Sequence, residues 1–342
     1  MNKMSAKKAI FFSLCTAAVL VCVFFAFNYY YDRRVPNFSR GGDFYIKPGT
    51  SPREVEELII EKCGVRSRRS LSRCFSSVKT VKAGHYTVTK SDVSKYVARM
   101  FAAGWQSPVN LVLSGTMRTR ASIAGKIGRQ MLIDSAEVSS ALSDSVLLAS
   151  YGFSPADVFA LIMPDTYQLY WTDPVKRVLD RQKEAYDAFW SAENKRKAEE
   201  LGLSMLEVSV LASIVNSETN YEKEMPMIAG VYLNRLHRGM KLQADPTVAY
   251  CFDFKPTRIL KKHLEADSPF NTYKYAGLPP APICVPSKAA LLSVLNPRGG
   301  SLLYFCASPE FDGTHVFAES YAEHQRNAAA YRKALSALRK ES

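Results

Sequence analysis

The first pattern along the chain is an uninterrupted apolar run near its start. Residues 9–31 (AIFFSLCTAAVLVCVFFAFNYYY) carry no charged side chain. A helix needs about 20 apolar residues to cross a bilayer core, so the run predicts a transmembrane anchor. The apolar region of a cleaved signal peptide is shorter, about 7–15 residues, and ends in a small-residue cleavage site. The three tyrosines that end the run suit the headgroup level, where aromatic residues are enriched.

Lysines on the short N-terminal side set the predicted orientation. Lys3, Lys7 and Lys8 precede the run, whereas the arginines that follow it are offset in part by Asp32. The positive-inside rule keeps the lysine-rich side in the cytoplasm. We therefore expect residues 1–34 to form a cytoplasmic tail and a single-pass anchor in the inner membrane, with the rest of the chain on the extracytoplasmic side.

Strand and helix patterns alternate after a polar stretch at residues 35–42 (VPNFSRGG), which we interpret as a linker. DFYIK predicts a strand, and Ser51 with Pro52 predicts the start of a helix, because Ser is a favoured N-cap and Pro suits the first helical position. AGHYTVT, SDVSKYVARMFAAG and PVNLVLS then predict a strand, a capped helix and a strand. These patterns indicate a small α+β domain over about residues 38–114.

Helical periodicity dominates the region from residue 115 to 203. The patterns that carry it are RASIAGKIGRQM, SAEVSSALSDSVLLASYG and DPVKRVLDRQKEAYDAFWSAENKRKAEE. Between them MPDTYQLYW is aromatic and contains a proline, so it predicts an irregular or extended crossing that either joins the core or lines a cleft.

Two helices, a proline-rich stretch and two strands are predicted between Ser204 and the C-terminal helix. Ser204 and Glu207 form a capping-box pattern for a helix that runs to about Asn220. PMIAGVYLNRLHRG has Pro in its first turn and Gly just past its end, which predicts a second helix. LQADPTVAY and DSPFNTYKYAGLPPAPICVPS then predict rigid extended backbone of the kind that can wall a cleft. SLLYFCAS and THVFAES read as strands, so the whole chain is α+β.

The interpretation of the net charge of +13 depends on the predicted membrane anchor. Removal of residues 1–34 takes away five basic residues and one acidic residue, and leaves 40 Lys and Arg against 31 Asp and Glu, a net charge of +9. An excess of this size in a cytoplasmic domain would suggest nucleic acid. Outside the membrane the counterparts are anionic lipid or cell-wall polymer, or the charge is only a solvated surface. We therefore expect no nucleic-acid partner.

Cysteine and histidine spacing argues against a metal or a disulfide framework. Two of the seven cysteines lie in the apolar run, and the remaining five are odd in number with no CxxC motif. One pair, Cys63 with Cys74, could still be oxidised. His315 and His324 show no metal-ligand spacing. His324 reads as structural, while His315 could equally support a site. We expect no metal and no cofactor.

One carboxylate falls on a stripe that should face the core. Leu211, Ile214 and Glu218 are spaced i, i+3 and i+7 in the segment LASIVNSETN. A Glu at such a place is either held in an ion pair, for instance with Arg235, or has its pKa raised by burial so that it can act as a general acid. Glu222, four residues later, is a rival acid or a solvated helix end.

Several blocks between residues 211 and 324 carry a resemblance. LASIVNSET, VYLNRLHRGMKLQADPTVAY, DSPFNTYKYAGLPPAPI, LYFCAS and HVFAES occur in this order. They resemble the endolytic murein transglycosylases of the YceG-like (MltG) group, and the likeness extends over nearly the whole chain. It implies a LysM-like domain at 35–114, a helical connection at 115–203 and a catalytic domain at 204–342. Asn216 stands where the family often has an acid, so Glu218 is the catalytic candidate.

The resemblance implies a lytic transglycosylase that cuts the MurNAc–GlcNAc bond within nascent peptidoglycan strands. One glutamate, Glu218, would protonate the leaving oxygen and then accept the proton of the muramyl 6-hydroxyl, which gives 1,6-anhydro ends. Glycan strands, the membrane and peptidoglycan synthases are the implied partners. The competing class is an anchored, non-catalytic wall-binding scaffold, and the retained acid favours the enzyme.

Polar residues on rigid backbone are the candidates for sugar binding. Gln243 and Asp245 lie in LQADPT, and Asn271 and Tyr273 lie in NTY. Such groups suit sugar hydroxyls and N-acetyl groups. Asp245 precedes a proline, so it is equally suited to a structural turn.

Overall fold

The computed structural model describes residues 6–341, with side chains for residues 8–338. Lys3, at the predicted cytoplasmic end, and the side chain of Lys7 lie outside these ranges. The chain is divided into two compact units. The first ends at Asn110 and also takes Gln168–Asp173, and the second holds Leu111–Tyr167 and Pro174 onwards.

The helices and strands of the described residues are as follows, in chain order. The helices are α1 (Ala6–Arg34), α2 (Pro52–Cys63), α3 (Arg68–Phe75), α4 (Ser94–Ala103), α5 (Arg120–Gly128), α6 (Ser135–Ala141), α7 (Ser145–Ala149), α8 (Val175–Phe189), α9 (Ala192–Glu200), α10 (Met205–Glu218), α11 (Met225–His237), α12 (Asp245–Tyr250), α13 (Lys288–Leu295) and α14 (Tyr321–Glu341). The strands are β1 (Gly42–Ile46), β2 (Gly84–Val88), β3 (Val109–Leu113), β4 (Asp165–Leu169), β5 (Tyr304–Ala307) and β6 (His315–Ala318).

Helix α1 contains the predicted apolar run. It has 29 residues and therefore a length of about 44 Å at 1.5 Å per residue, against about 30 Å for a bilayer core. The stretch Lys8–Arg34 is long and apolar enough to cross a membrane. Its large side chains are exposed, for example Phe25 at 66%. Helix α1 therefore has the dimensions and the uncovered apolar surface expected of a single-pass anchor.

The first unit builds one core on the antiparallel pair β1–β2. Gly42 is paired with Val88 and Ile46 with Gly84. The inward side chains of this sheet meet those of α2, α3 and α4, and the largest are Phe38, Phe44, Ile59, Leu71, Tyr86 and Phe101. Because strand residues alternate faces, β1 buries Phe44 and Ile46 and exposes Asp43 and Tyr45.

The predicted linker at residues 35–42 is part of this core, so that interpretation was wrong. Phe38 and Asn37 are fully buried, and the backbone of Phe38 bridges to Val65. The Asn37 amide group donates to Ser67 O at 2.9 Å and to Ser94 Oγ at 2.8 Å. The segment is short and mostly polar, which suggested a linker, but its one large apolar side chain, Phe38, fixes it in the core.

A polar cluster fastens the end of α1 to the first unit. The Asp32 carboxylate accepts from Ser70 Oγ at 2.6 Å and from the Arg73 guanidinium at 2.7 Å. Ser70 Oγ also lies 2.9 Å from Ser94 Oγ, which in turn contacts Asn37. We name these five residues, Asp32, Asn37, Ser70, Arg73 and Ser94, the clasp. It joins α1, α3 and α4 without an intervening flexible stretch.

Sequence patterns placed most elements of the first unit correctly but missed α3. The N-cap at Ser51 with its capping box is present, whereas α4 begins at Ser94, three residues later than expected. Helix α3 is short and rich in Arg and Ser, so its apolar periodicity is weak. Cys63 and Cys74 are both buried free thiols.

The second unit is organised around α10, α11 and α13. Helix α10 begins as predicted with the Ser204–Glu207 capping box, and its middle from Val208 to Val215 is buried. It ends at Glu218, two residues earlier than predicted, and Thr219 follows in an extended conformation. The two longest predicted helices are each divided, with breaks at Asp144 and near Trp190. The stretch predicted as irregular contains α12, because Pro246 is tolerated in a first turn.

The aromatic crossing MPDTYQLYW forms strand β4. Within it Tyr167 and Leu169 are buried, which is the core outcome of the two that the sequence left open. Strands β5 and β6 pair antiparallel as expected, with Tyr304 opposite Ala318 and Ala307 opposite His315. This hairpin brings β6 to the site described next.

Candidate active site

Glu218 occupies the last position of α10, where the helix leaves the core. The helix is buried from Val208 to Val215, and Glu218 itself is only partly exposed. Burial raises the pKa of its carboxyl group to about 7, and the nearby charge of Asp245 adds to the increase. A carboxyl group with this pKa is largely protonated in mildly acidic solution and can also accept a proton near neutrality.

Tyr232 holds the Glu218 carboxyl group in place. Its hydroxyl donates to Glu218 Oε1 at 2.5 Å across the α10–α11 interface. The Tyr232 ring is buried and packs edge-on against Phe305 of β5, with centroids 5.7 Å apart. Burial and the Glu218 charge raise the pKa of Tyr232 well above its usual value, so it remains a donor. A donor to the carboxylate favours the charged form and moderates the increase in the pKa of Glu218.

Two cavities share Glu218 and Asp245. The tyrosine cavity, about 270 Å³, is also lined by Tyr232, Gln243 and Tyr273. The arginine cavity, about 600 Å³, is lined on its other sides by Arg118, Phe254 and Arg258, among others. Glu218 and Asp245 therefore lie where the two cavities adjoin, as expected for the reacting centre of a site that binds substrate on both sides.

The loop before α12 is built to present Asp245 and Gln243. Gln243 has a φ of 51°, a left-handed conformation that is uncommon for a residue with a side chain. Its backbone N–H donates to Thr272 O at 3.1 Å, and the Tyr273 hydroxyl donates to Asp245 Oδ1 at 2.6 Å. Burial and this hydrogen bond raise the pKa of Tyr273. Gln243, Asp245 and Tyr273 are thus brought together with Glu218.

Asn271 is placed differently from the other three candidates for sugar binding. Its side chain is fully buried and donates to Leu264 O at 2.9 Å and Ala266 O at 2.8 Å. Its Oδ1 accepts from the backbone N–H of Tyr273 at 3.0 Å. Asn271 therefore closes the loop that carries Tyr273, and its amide group faces the protein.

Arg235 makes backbone hydrogen bonds and does not form the alternative ion pair with Glu218. Its Nε donates to Leu303 O at 2.7 Å, and its Nη1 donates to Leu242 O at 2.7 Å. Burial lowers the pKa of Arg235. The guanidinium fastens α11 to the segments on either side of the tyrosine cavity and contributes a positive field at Glu218.

Glu224 and His315 form a pair beside the tyrosine cavity. Glu224 is buried, and its carboxylate accepts from the His315 backbone N–H at 2.9 Å and lies 3.0 Å from His315 Nδ1. His315 lines the tyrosine cavity, so of the two histidines it is the one near the site. His324 stacks on Tyr304, with ring centroids 5.3 Å apart, and does not line either cavity.

Glu222 is exposed and lies beyond the end of α10. Because the helix stops first, Glu222 does not share a helical face with Glu218. The Asn216 side-chain oxygen accepts from the backbone N–H of Ser287 at 3.2 Å. Asn216 therefore has a structural role at the start of α13.

Sequence reasoning missed Tyr232, Glu224 and the arginines of the second cavity. The signal for Tyr232 was its position on the buried face of α11, but a core tyrosine gives the same pattern. The Arg118 guanidinium lies over the Phe254 ring, 4.5 Å from the ring centroid. The two residues are 136 positions apart in the chain, so no local pattern encodes this contact. Among the described residues, no group of three His, Cys, Asp or Glu side chains could hold a metal ion.

Comparisons with known proteins point to one family. The YceG-like family profile matches residues 44–330. The endolytic murein transglycosylase of Bacillus subtilis (strain 168) is 32% identical over 176 residues, which is 50% of this chain and 47% of that protein. The one from Streptococcus pneumoniae (strain R6) is 29% identical over 178 residues, 50% of this chain and 31% of that protein. The chain thus spans less than half the length of these curated relatives.

A solved structure extends the likeness to the fold. A yceG-like protein from Listeria monocytogenes has a TM-score of 0.55 and 25% sequence identity, and the match covers 84% of this chain and 99% of that one. The profile match alone includes every residue of both cavities. Because the profile covers well over half of its length, the chain belongs to the YceG-like family.

Proposed function

We propose that the protein is a membrane-anchored lytic transglycosylase that cuts the MurNAc–GlcNAc bond within peptidoglycan strands. The observation that carries the proposal is Glu218, a carboxyl group with a pKa of about 7 where the two cavities adjoin. The names of the B. subtilis and S. pneumoniae relatives support the substrate class. The length and composition of α1 support a single-pass anchor, and the lysines before it support the extracytoplasmic side for the two units.

In the first step the Glu218 carboxylic acid donates its proton to the glycosidic oxygen. The bond between that oxygen and the anomeric carbon of MurNAc breaks, and the leaving GlcNAc departs with a free 4-hydroxyl. Positive charge develops on the sugar ring, as in other glycosidic cleavages. Asp245, held by the Tyr273 hydroxyl, supplies a fixed negative charge beside that ring.

In the second step the muramyl 6-hydroxyl attacks the anomeric carbon. The Glu218 carboxylate, still held by Tyr232, accepts the hydroxyl proton, and the product is a 1,6-anhydro ring. The carboxyl group returns to its starting state without a water molecule being consumed. Hydrolysis would require a second carboxylate to act on water or on the sugar. Asp245 is the other acid that lines these cavities, and Tyr273 already holds one of its oxygens.

Sugar binding falls to Gln243, Asp245 and Tyr273, whose polar groups line the tyrosine cavity. Asn271 acts through Tyr273, because it positions the loop and not the sugar. Partner synthases belong to the same proposal, since an enzyme that cuts new strands at the membrane works where they are made.

The test is the purified full chain acting on uncrosslinked glycan strands, with the ends identified by mass spectrometry after borohydride reduction. We expect 1,6-anhydro-muramyl ends and internal cuts, and at least a 100-fold loss in Glu218→Gln. Glu222→Gln is the matched control, because it makes the same change at an exposed acid four residues later. Reducing muramyl ends would show hydrolysis, and full activity of a folded Glu218→Gln variant would remove Glu218 from the mechanism. No cleavage by the folded wild type would support the non-catalytic scaffold.

A further inference from the structure

The first unit has a cavity of its own where α1 meets α4. Its volume is about 410 Å³, and four cationic side chains line it: Arg33, Arg34, Lys95 and Arg99. The other lining residues are aromatic, apart from one valine, and no acidic side chain of the described residues lines it. We name it the basic pocket. A concave site that gathers four cations with no acid has the chemistry of an anion site.

Aromatic rings hold two of the guanidinium groups. The Arg33 guanidinium lies 4.2 Å from the Tyr29 ring centroid, and that of Arg99 lies 5.8 Å from the Trp105 centroid. A guanidinium that stacks on a ring keeps its N–H edges free for a bidentate contact with phosphate. Asp32, next to Arg33 in the chain, is already engaged by Arg73 and Ser70.

The clasp fixes the pocket at the end of the apolar span. The clasp joins α1 to α3 and α4, so it fixes the cationic side chains of α1 next to those of α4. Tyr29 and Tyr30 line the pocket, are 63% and 60% exposed, and belong to the apolar run itself. Tyrosines at the end of a span lie at the headgroup level, so the pocket lies there too.

The positive charge at the C-terminal end of α1 is unexpected in the proposed topology. Cations that flank a span are favoured on the cytoplasmic side, and Arg33 and Arg34 are on the other side in the proposed topology. Lys95 and Arg99 add two more charges at the same level. Binding of a headgroup anion is one physical use for charges that insertion disfavours.

We propose that the basic pocket binds the phosphate of one anionic phospholipid headgroup in the leaflet at the C-terminal end of α1. The inference rests on the proposed membrane anchoring and is independent of the cleavage chemistry. A phospholipid fits better than a soluble anion, because the aromatic rings offer contact to the glycerol and upper acyl region while the cations meet the phosphate.

The test uses the full chain in detergent micelles that contain either dioleoylphosphatidylglycerol or dioleoylphosphatidylcholine, with retained lipid counted by native mass spectrometry. We expect the wild type to retain one phosphatidylglycerol in preference to phosphatidylcholine. The Lys95→Ala/Arg99→Ala variant should bind it about 30-fold more weakly. Lys47→Ala/Lys79→Ala is the matched control, since both lysines are exposed and outside the pocket, and it should bind as the wild type does.

Three results would overturn the assignment. These are equal retention of the two lipids, equal loss in both double variants, or displacement of phosphatidylglycerol by millimolar inorganic phosphate, which would mark a site for free anions. The Lys95→Arg variant keeps the charge and leaves the Arg99 stack on Trp105 intact, so it should retain the lipid. Circular dichroism of both alanine variants reports any folding defect. Carbonate extraction of membranes tests the anchor separately: release of the wild type would defeat the anchoring, whereas retention with no lipid preference would defeat only the pocket.

Discussion

At the scale of single residues, the burial of Glu218, moderated by the hydrogen bond from Tyr232, sets the working pH range. Protonated Glu218 is the form that starts the reaction, and with a pKa of about 7 this form is lost as the pH rises above 7. We expect activity to fall about tenfold per pH unit on that side, with an apparent pKa near 7. A pH–rate profile on soluble glycan strands measures it, and a midpoint near 4.5 would contradict the assignment.

Tyr232→Phe should move that midpoint upward. The ring and its contact with Phe305 are kept, but the donor to the carboxylate is lost, so the charged form of Glu218 is less favoured and its pKa rises. A hydrogen bond to a charged group is worth about 1.5–3 kcal/mol, which corresponds to a shift of about one unit or more. An unchanged midpoint with reduced rate would show that Tyr232 acts on the substrate instead.

The Glu218→Gln variant should reveal how much the ionisation of Glu218 lowers the free energy of unfolding. The pKa of Glu218 is raised in the folded protein above its unfolded value of 4.5, so ionisation destabilises the wild type as the pH rises from about 4.5 to 7. Relative to the wild type, the variant should gain about 3 kcal/mol across this window and little more above pH 7. Denaturant unfolding at pH 4.5, 6 and 8 measures the difference, and a constant difference would contradict it.

The key residue was predictable, but its surroundings were only partly so. The i, i+7 spacing placed Glu218 beside buried positions, because helical register is a local property. Gln243, Asp245 and Tyr273 line its cavity, but Asn271 turned inward, since sequence cannot tell which way an amide faces in a proline-rich loop. The Tyr232 donor and the Glu224–His315 pair depend on contacts between distant segments, which no local pattern specifies.

At the scale of elements, α11 carries Tyr232 and must approach its neighbour closely. A Cβ added at Gly230 would lie 1.8 Å from the backbone oxygen of Arg298. Gly230→Ala should therefore force α11 away from this segment and destabilise the fold by about 3 kcal/mol. It should also lower activity, because Tyr232 is two residues further along the helix.

Gly125→Ala is the control for that variant. Gly125 also lies inside a helix, α5, but its added Cβ would meet only the end of the flexible Arg129 side chain at 3.3 Å. The change should be neutral or stabilise by about 0.5–1 kcal/mol. Thermal unfolding of both variants compares the two, and similar melting temperatures would contradict the close approach.

At the scale of the whole molecule, the testable feature is the topology. Protease added to spheroplasts should digest everything after residue 35, since both units lie outside the membrane in the proposal. The same protease added to intact cells is the control, because the outer layers should then shield the chain. Protection in spheroplasts, or a mature N-terminus after Ala26, would contradict the anchor.

The clasp has a mechanical consequence for the anchored molecule. A domain joined to its membrane helix by a flexible linker tumbles independently of that helix. Here Asn37 and Phe38 are buried, so no flexible linker follows Arg34. The first unit must therefore follow α1 when the helix leans. A span longer than the hydrocarbon thickness leans further as the bilayer thins, so local membrane thickness would set the inclination of the first unit above the surface.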